Sequence, residues 1–294
     1  MDLQDLLTFQ TVARLGGVTR AAEALNTVQS NVTTRIKDLE YDLGAQLFLR
    51  HSRGVTLTLA GKRLMPYAAR IEALVADARR AVGDEGEPAG ALSIGSLETI
   101  AALRLAPHLA AYTRACPGVD LTVRTGTTAS LIADVLANRL DAAFVAGPVD
   151  HPDLHAEAAF DEELVVITHP GMSDPWDPGR WRQLKILVFR AGCSYRQRFE
   201  DMLARRGIST ARTLEFGTLD GIVGCVTAGV GVALLPRSVV ERAAREGTVA
   251  LHSLSPAEAR VRTVLLRRQD SYLSSALETF FSLLRERTDG SAAA

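Results

Sequence analysis

Residues 19–43 read TRAAEALNTVQSNVTTRIKDLEYDL, and this stretch decides the fold of the N-terminal region. It opens with a short, alanine-rich helix candidate that ends at Leu25. From Val28 onward, apolar residues recur with the period of an α-helix, and Asn26-Thr27 interrupts the pattern between the two helices. A helix, a tight turn and a second helix with a polar face are typical of a helix-turn-helix, which places its second helix in the major groove of DNA.

The second helix has one apolar side and one polar side. Its apolar stripe contains Val32, Ile36, Leu39 and Leu43, which predicts a core-facing surface. Its polar side combines hydroxyl, amide and basic groups, which suit the edges of bases, and Arg35 is expected to grip guanine with two hydrogen bonds. The residues of this helix that are predicted to contact DNA are Gln29, Ser30, Asn31, Thr33, Thr34, Arg35 and Lys37. The alternative is a solvent-exposed face of a plain three-helix bundle.

A short hairpin is predicted directly after these helices. Gly54 marks the turn, and the four residues after it alternate like a strand. Arg50, His51 and Arg53 lie on this hairpin and are expected to touch phosphates or the minor groove, as the wing of a winged helix-turn-helix does. The alternative is an ordinary surface hairpin with incidental arginines.

Residues 59–83 form one long helical pattern. Its apolar residues are spaced 4, 3, 4, 3 and 4 apart, at Leu64, Ala68, Ile71, Val75, Ala78 and Val82. This is the spacing of a heptad seam, which packs against another helix. Because the segment stands between two domains, we expect the seam to pair with a second copy of the chain, and packing on its own domain is the alternative.

The chain changes character after a linker of Gly, Pro and acidic residues at 83–90. From there on, short apolar strand candidates alternate with helix candidates, and the strands show little polar alternation. Strands of this kind are covered by helices on both faces, so an α/β domain with a largely parallel sheet is predicted. The strand candidates are Ala91–Ser96, Leu121–Thr125, Ala142–Ala146, Leu164–Thr168, Ile186–Phe189, Gly231–Leu235 and Val261–Leu266.

A ligand pocket is expected where the strands end and the helices begin, in the crevice between two subdomains. Four segments follow a strand candidate and precede a helix candidate: 95–99, 125–130, 190–195 and 216–221. Hydroxyls and free backbone N–H groups at helix starts bind anions, although simple capping by Ser and Thr is an alternative. The residues predicted to bind an effector are Ser96, Thr99, Thr127, Thr128, Cys193, Ser194, Tyr195, Gly217 and Asp220.

The N-terminal segment resembles the DNA-binding domain of LysR-type transcriptional regulators over about 60 residues. The matching residues are Leu7, Phe9, Thr19, Ala21, Ala22, Leu25, Gln29, Val32, Ile36, Leu39, Glu40, Leu43, Gly44, Leu47, Phe48, Arg50, Leu57, Thr58, Ala60 and Gly61. The segment departs from the family at the start of the second helix. Many members carry Ser or Thr where this chain has Val28, and Pro where it has Ser30.

The resemblance implies three parts: a winged helix-turn-helix DNA-binding domain at 1–58, a linker and dimerisation helix with a hinge at 59–90, and an effector-binding domain at 91–294. The last would be similar to type II periplasmic binding proteins, with subdomain I at about 91–163 and 266–288 and subdomain II at about 164–265. The implied partners are double-stranded DNA with an inverted-repeat operator, a second copy in a dimer or dimer of dimers, and RNA polymerase as a further candidate. A small effector, expected to be a carboxylate, would bind in the cleft.

Composition narrows the function further. The net charge is −1, with 33 basic and 34 acidic residues, so any DNA-binding surface must be local. The N-terminus is acidic where a signal peptide would be basic, and no apolar run is long enough to span a bilayer, so we expect a cytoplasmic protein without membrane contact. The three cysteines form no CxxC, which argues against a disulfide framework or a cysteine zinc site.

No catalytic constellation stands out, so we expect no enzymatic activity, no metal and no cofactor. The segment Ala91-Leu92-Ser93-Ile94-Gly95 misses the first Gly of a hydrolase nucleophile motif, and Gly229-Val230-Gly231 lacks the third Gly of a dinucleotide-binding motif. A transporter-type solute receptor is another alternative, since it would share the residues from 91 onward. It would need an export signal and no helix-turn-helix.

Cys193 leaves two hypotheses open. It begins a helix candidate and has Arg190, Arg196 and Arg198 close in sequence, and helix starts and cations both lower a thiol pKa. In the first hypothesis, which we favour, it is a neutral wall of the effector pocket. In the second, it is a reactive thiol through which the protein senses oxidants. The nearest cysteine along the chain, Cys225, is distant in sequence and offers no evident disulfide partner.

Overall fold

The structure, a computed structural model, describes residues 1–52, 54–172, 175–176, 185–208 and 212–291, with side chains up to residue 286. The chain divides into two compact units, Met1–Glu85 and Gly86–Ala294. The division predicted from the sequence separates 1–58 from 59–90. The structure instead keeps the long helix with the N-terminal unit, because the first half of that helix contributes to its core.

Unit 1 contains three helices, a hairpin and a long helix. Its elements are α1 (Leu3–Leu15), α2 (Val18–Ala24), α3 (Gln29–Leu43), β1 (Phe48–His51), β2 (Gly54–Leu57) and α4 (Leu59–Gly83). The core is built on Phe9, whose ring lies 5.3 Å from that of Phe48, and on the fully buried Val32 and Leu39. The apolar stripe expected on α3 therefore faces the core, except for Leu43, which is 39% exposed.

The turn before α3 depends on residues that tolerate unusual backbone angles. Asn26 has a φ of +50°, a conformation in which Asn is enriched, and it closes α2. α3 then begins after Val28, whose side chain makes no capping hydrogen bond, and ends at Gly44 with a φ of +62°. The short break in the sequence pattern thus corresponds to a real change of direction between the two helices.

One carboxylate connects α3 to the hairpin. Glu40, on α3, accepts a hydrogen bond from the backbone N–H of Leu47 at 2.7 Å and another from that of Phe48 at 3.3 Å. Hydrogen bonds to an ionised acceptor are stronger than those between neutral groups. Glu40 therefore sets where β1 starts relative to α3.

The first half of α4 packs on unit 1 itself. Thr58 caps the helix by accepting from the N–H of Gly61, and a Cβ added at Gly61 would lie 2.3 Å from the Leu47 carbonyl oxygen. Ala68 is fully buried in the core, and Leu64 is half-buried against it. The first three positions of the expected seam, Leu64, Ala68 and Ile71, therefore contact the core of this unit, which corrects the expectation that the whole seam faces a second chain.

Unit 2 is an α/β domain, which confirms the predicted fold class. Its elements are β3 (Gly90–Ser96), α5 (Glu98–Ile100), a π-helical turn (Ala101–Leu105), α6 (Ala106–Ala115), β4 (Val119–Thr125), α7 (Thr128–Leu136), β5 (Ala142–Ala146), β6 (Leu154–Thr168), β7 (Lys185–Phe189), α8 (Ser194–Arg205), β8 (Arg212–Phe216), α9 (Leu219–Thr227), β9 (Gly231–Pro236), α10 (Arg237–Arg245), β10 (Ala250–Ser253), α11 (Pro256–Ala259), β11 (Arg260–Arg268) and α12 (Ser275–Ser291).

The sheet is mixed rather than largely parallel, with the strand order β4-β3-β5-β11-β6-β9-β7-β8. β3 runs parallel to β4 and β5, and β7 runs parallel to β8 and β9. Between these two parallel groups, β6 and β11 form a long antiparallel pair. The expectation of a parallel sheet thus holds within each group and fails at the centre, where the chain crosses from one group to the other.

The strands of both groups end near the point on β6 where its pairing with β11 stops. Ala146, the last residue of β5, pairs with Thr263 of β11, which in turn pairs with Phe160 of β6. Pro236, the last residue of β9, pairs with Leu164 of β6, only four residues further along. The β3–β5 group forms subdomain I and the β7–β10 group forms subdomain II. Their strand ends therefore face each other across a central cleft.

Sequence patterns missed β8, β10 and the first part of β6. β8 is an edge strand that alternates between exposed and half-buried residues, and β10 pairs only with β6 at the margin of the sheet. The first part of β6 contains four acidic residues and several exposed positions. Such strands lack the continuous apolar run that marks a central strand. No helix within the described ranges is both long enough and apolar enough to cross a membrane.

We expect Glu40→Ala to lower the free energy of unfolding of unit 1 by about 1–3 kcal/mol, because two backbone N–H groups lose their acceptor. Glu40→Gln should lose less, since the amide oxygen remains an acceptor. Chemical denaturation of the full chain, followed by circular dichroism, measures both. Glu72→Ala, at an exposed site on α4, is the matched control. An unfolding midpoint for Glu40→Ala equal to that of the control would show that this carboxylate does not hold the hairpin.

Candidate functional site

The polar side of α3 forms a surface of unit 1. The residues that are exposed on it are Gln29, Ser30, Asn31, Thr34 and Lys37. Thr33 and Arg35 are half-buried. Ser30, Thr34 and Lys37 lie on one line along the helix, spaced four and three residues apart, and their side chains make no hydrogen bond or ion pair with the described part of the chain. This line is the part of α3 that is free to bind.

The Arg35 side chain forms ion pairs within unit 1. Its guanidinium lies 2.8 Å from the Asp5 carboxylate and 3.6 Å from that of Asp2, both at the start of α1. The Asp5 side chain is only 12% exposed. The guanidinium thus holds α3 against α1, and its contact with guanine stays a prediction.

Three further predicted contacts have partners nearby. Gln29 accepts a hydrogen bond from the Thr19 hydroxyl at 3.3 Å, and Asn31 donates to the Thr27 hydroxyl at 2.9 Å. The Thr33 hydroxyl donates to the backbone carbonyl of Gln29. These side chains are oriented by α2, by the turn that precedes α3 and by α3 itself.

The hairpin lies beside α3. Arg50 is exposed on β1, and it shares with Thr33 a groove of about 250 Å³ between α3 and the hairpin. His51 is exposed at the end of β1, opposite Gly54 of β2. Arg53, the remaining predicted contact, lies outside the residues that the structure describes. The described members of the predicted DNA surface thus come from two adjoining elements, α3 and β1.

Unit 2 contains a cavity of about 400 Å³ at the cleft between the two subdomains. All four segments singled out in the sequence contribute to its lining, through residues 97–99, 125–127, 190–191 with 193, and 216–217 among others. The first two segments follow β3 and β4, and the last two follow β7 and β8. The opposed strand ends of the two subdomains therefore build this cavity together.

Five of the nine predicted effector-binding residues line this cavity: Thr99, Thr127, Cys193, Tyr195 and Gly217. The other four lie elsewhere. Ser96 is fully buried and its hydroxyl donates to the carbonyl of Leu97, and Asp220 is exposed in the first turn of α9. Thr128 and Ser194 line a neighbouring, more open cavity of about 430 Å³.

A direct contact between the subdomains accounts for the position of Thr128 and Ser194. The N–H of Ala129 donates to the carbonyl of Gly192 at 3.2 Å across the cleft. Gly192 has a φ of +90°, and a Cβ there would lie 3.0 Å from the Thr127 hydroxyl, so only glycine fits without displacement. Thr127 and Cys193 face the first cavity, and the residues that follow them face the second.

The cavity has two buried hydroxyls in its wall. Tyr195 and Thr99 are each 3% exposed, and their hydroxyls lie beside each other with no further hydrogen-bond partner within the described residues. Burial raises the pKa of Tyr195 to about 12, so the phenol stays protonated at neutral pH. Buried polar groups without partners are uncommon in folded proteins, which makes these two hydroxyls candidates for binding a ligand.

Cys193 is the N-cap residue of α8 and is 8% exposed. Burial raises the pKa of its thiol, and the backbone at Arg196 and Tyr195 opposes that shift only in part. The direction is the reverse of what the helix start and the neighbouring arginines suggested from sequence, because desolvation outweighs both. Cys116, Cys193 and Cys225 are all unpaired.

Sequence reasoning missed the two charged residues of the cavity, Glu98 and Arg190. Glu98 is half-buried two residues after β3, and Arg190 is exposed directly after β7. A Cβ added at Gly217 would lie 3.0 Å from the Arg190 guanidinium, so Arg190 reaches across to the segment after β8. Their position just beyond a strand end could have identified them, but the prediction from sequence considered mainly hydroxyl groups.

Two known protein-family descriptions match the chain. The description "LysR substrate binding domain" matches residues 85–289, and "Bacterial regulatory helix-turn-helix protein, lysR family" matches residues 3–62. The chain belongs to the LysR family of transcriptional regulators. The resemblance noted in the sequence is therefore confirmed, together with the helix-turn-helix and the two-part organisation.

Known relatives match the LysR-type chain along its whole length. The HTH-type transcriptional regulator GltR of Bacillus subtilis (strain 168) is 43% identical over 289 residues, which cover 97% of each chain. Full-length OxyR from Pseudomonas aeruginosa, solved as a variant, is 25% identical with a TM-score of 0.70, and the match covers 97% of this chain and 95% of that one. Full-length CbnR complexed with its target DNA is 23% identical with a TM-score of 0.64, covering 97% and 99%.

Family membership assigns DNA binding to unit 1 of this LysR-type regulator. A transporter-type solute receptor has no helix-turn-helix, so that alternative is set aside. Within the described residues, no group of three or more His, Cys, Asp or Glu side chains is arranged to hold a metal ion.

We expect Arg35→Ala to lower the free energy of unfolding by about 1–2 kcal/mol, because the largely buried Asp5 carboxylate loses its cation. Lys37→Ala, an exposed site on the same helix, is the matched control and should change stability by less than about 0.5 kcal/mol. Thermal and urea unfolding of the full chain compare the two. Equal stabilities would mean that the Arg35–Asp5 pair contributes nothing to unit 1.

Proposed function

We propose that this LysR-type regulator binds inverted-repeat DNA as a homodimer and responds to a small molecule held in the cavity of unit 2. The observation that carries the proposal is the line formed by Ser30, Thr34 and Lys37, which are exposed and unpaired within the described residues on the second helix of a helix-turn-helix. In this proposal the protein performs no chemistry of its own and needs no metal or cofactor.

The exposed line on α3 is suited to the major groove. Hydroxyls of Ser30 and Thr34 can donate or accept at base edges, and Lys37 can donate to guanine. Arg50, on the adjacent hairpin, has a free guanidinium within the described residues and is suited to a backbone phosphate. In this arrangement Arg35 acts indirectly, by fixing the angle of α3 against α1.

A dimer would use the apolar face that α4 leaves exposed. Tyr67 is 66% exposed, Leu74 49% and Val82 90%, and all three fall on one side of the helix. This face shares Val82 with the seam predicted from sequence but not Leu64, Ala68 and Ile71, which pack inside unit 1. Pairing two chains here would present two copies of α3 to successive major grooves about 34 Å apart, which requires an inverted repeat. A dimer of dimers would extend the same arrangement.

The effector is proposed to act through the cleft. A small molecule that contacts both subdomains favours one angle between them over others, and that angle sets how paired chains hold their DNA-binding units. RNA polymerase is the proposed recipient of the signal at the promoter. Because the partners are DNA and polymerase, we place the protein in the cytoplasm. No observation favours an oxidant sensor, since burial raises the pKa of the Cys193 thiol.

The DNA-binding proposal can be tested by capturing genomic fragments with the full chain and sequencing them. On the selected fragment, Lys37→Ala should lose about 1–3 kcal/mol, or roughly 5- to 150-fold in affinity, if Lys37 reads a base. Arg124→Ala, an exposed arginine of unit 2 with no partner among the described residues, is the matched control. Equal affinities of the two variants for the selected fragment would exclude the α3 line as the reader.

Self-association is tested by Leu74→Asp, which places a charge in the exposed apolar face of α4. The two copies of this carboxylate would meet unpaired, so we expect the dimer to dissociate in analytical ultracentrifugation. Ala76→Asp introduces the same charge on the opposite, exposed side of α4 and should leave the mass unchanged. If Leu74→Asp keeps the wild-type mass, the dimer does not form through this face.

A further inference from the structure

The cavity of unit 2 contains one acidic and one basic side chain, and neither is neutralised by the protein. Glu98 and Arg190 both line it, and neither makes a hydrogen bond or ion pair with any described residue. Most arginines in subdomain II behave differently: Arg196, Arg206 and Arg237 all form ion pairs. Two unpaired, opposite charges in one small cavity point to a ligand that carries both charges itself.

We propose that the effector is a small zwitterion with a carboxylate and an ammonium group, such as an α-amino acid. The inference rests on the proposed function, because it assigns a chemical class to the ligand of the same cavity. It differs from the simple carboxylate expected from sequence, since that expectation took no account of Glu98.

Arg190 is the group suited to the carboxylate. A guanidinium presents a planar pair of N–H donors that matches the two oxygens of a carboxylate. Arg190 lies at the start of the segment that leads into α8, and Cys193 at the N-cap of that helix makes no side-chain capping bond. Because Cys193 also lines the cavity, the N-terminus of α8, which is the positive end of its dipole, lies on the same side and adds to the preference for an anion.

Glu98 is the group suited to the ammonium. Its carboxylate is half-buried, and a half-buried charge without a cation loses hydration and gains nothing in return. An ammonium group has three N–H donors. Glu98 can accept one of them, and the buried hydroxyls of Thr99 and Tyr195, which have no partner except each other within the described residues, lie in the same wall. These three groups together offer acceptors for a single ammonium.

The remaining wall sets the size and nature of the ligand. The volume of about 400 Å³ lies near the lower end of the range for small-molecule sites. Leu97, Phe189 and Phe216 supply apolar surface between the charged groups. The cavity therefore fits a single amino acid with an uncharged side chain. A ligand with a carboxylate alone would leave Glu98 unpaired and would be repelled by it.

The proposal is tested on the full-length protein with the twenty common L-amino acids as probes, first by thermal shift and then by calorimetry. Each amino acid that binds is compared with its 2-hydroxy acid, which lacks the ammonium, and with its amine, which lacks the carboxylate. We expect each analogue to bind at least about tenfold more weakly, because each leaves one cavity charge unpaired.

Two variants assign the charges to their partners. Glu98→Gln should bring the affinities for the amino acid and its 2-hydroxy acid close together, and Arg190→Gln should do the same for the amino acid and its amine. Asp220→Asn, which removes a carboxylate outside the cavity, is the matched control and should keep the wild-type preferences. Unliganded melting temperatures close to wild type verify that each variant is folded.

Three results would overturn the zwitterion. They are equal affinity of the wild type for an amino acid and its 2-hydroxy acid, an unchanged preference in Glu98→Gln, and no amino acid binding at millimolar concentration. In the last case a panel of simple carboxylates, read out through Arg190→Gln, would assign a plain anion instead. The capture of DNA by α3 is measured separately, so a failure here leaves the proposed DNA-binding function standing.

Discussion

The antiparallel pairing of β6 with β11 is the constraint on which unit 2 depends. These two strands belong to both subdomains. Because they are antiparallel, the two parallel strand groups beside them run in opposite directions within one sheet. As a result the strand ends after β3 and β4 face those after β7 and β8. The polar segments that follow parallel strands would otherwise lie on opposite edges of the domain. The cavity, its charges and its two chain crossings all follow from this one pairing.

Unit 1 shows how competition between partners decides what a charged side chain does. Arg35 and Lys37 lie two residues apart on the same helix, and both are basic. Arg35 finds the carboxylate of Asp5 across the helix interface, whereas Lys37 points to solvent. The same contrast appears in unit 2, where Arg190 and Glu98 stay unpaired among many arginines that are paired. In both units the proposed binding surface contains charges that the protein leaves unpaired.

Patterns that depend on neighbours in sequence were predicted well. The α3 stripe of Val32, Ile36 and Leu39 faces the core, and β5 and the core of β9 fall where continuous apolar runs placed them. β8 and the start of β6 were not predicted, because edge and half-exposed strands lack such a run. The heptad seam predicted on α4 is only partly exposed, for a different reason. Periodicity shows that a helix has an apolar face, but it cannot tell which part of that face is already covered by its own domain.

The sequence by itself determined the family, the helix-turn-helix, the α/β class of unit 2 and the four segments that line its cavity. Each of these rests on local periodicity or fixed spacing, which short-range sterics and burial impose. Only the tertiary structure decided which members of those segments meet. It placed Thr127 in the cavity of about 400 Å³ and Thr128 in the neighbouring one, beside the hydrogen bond between Ala129 and Gly192. It also decided that desolvation, rather than nearby arginines, governs the Cys193 thiol, because burial depends on contacts between residues far apart in the chain.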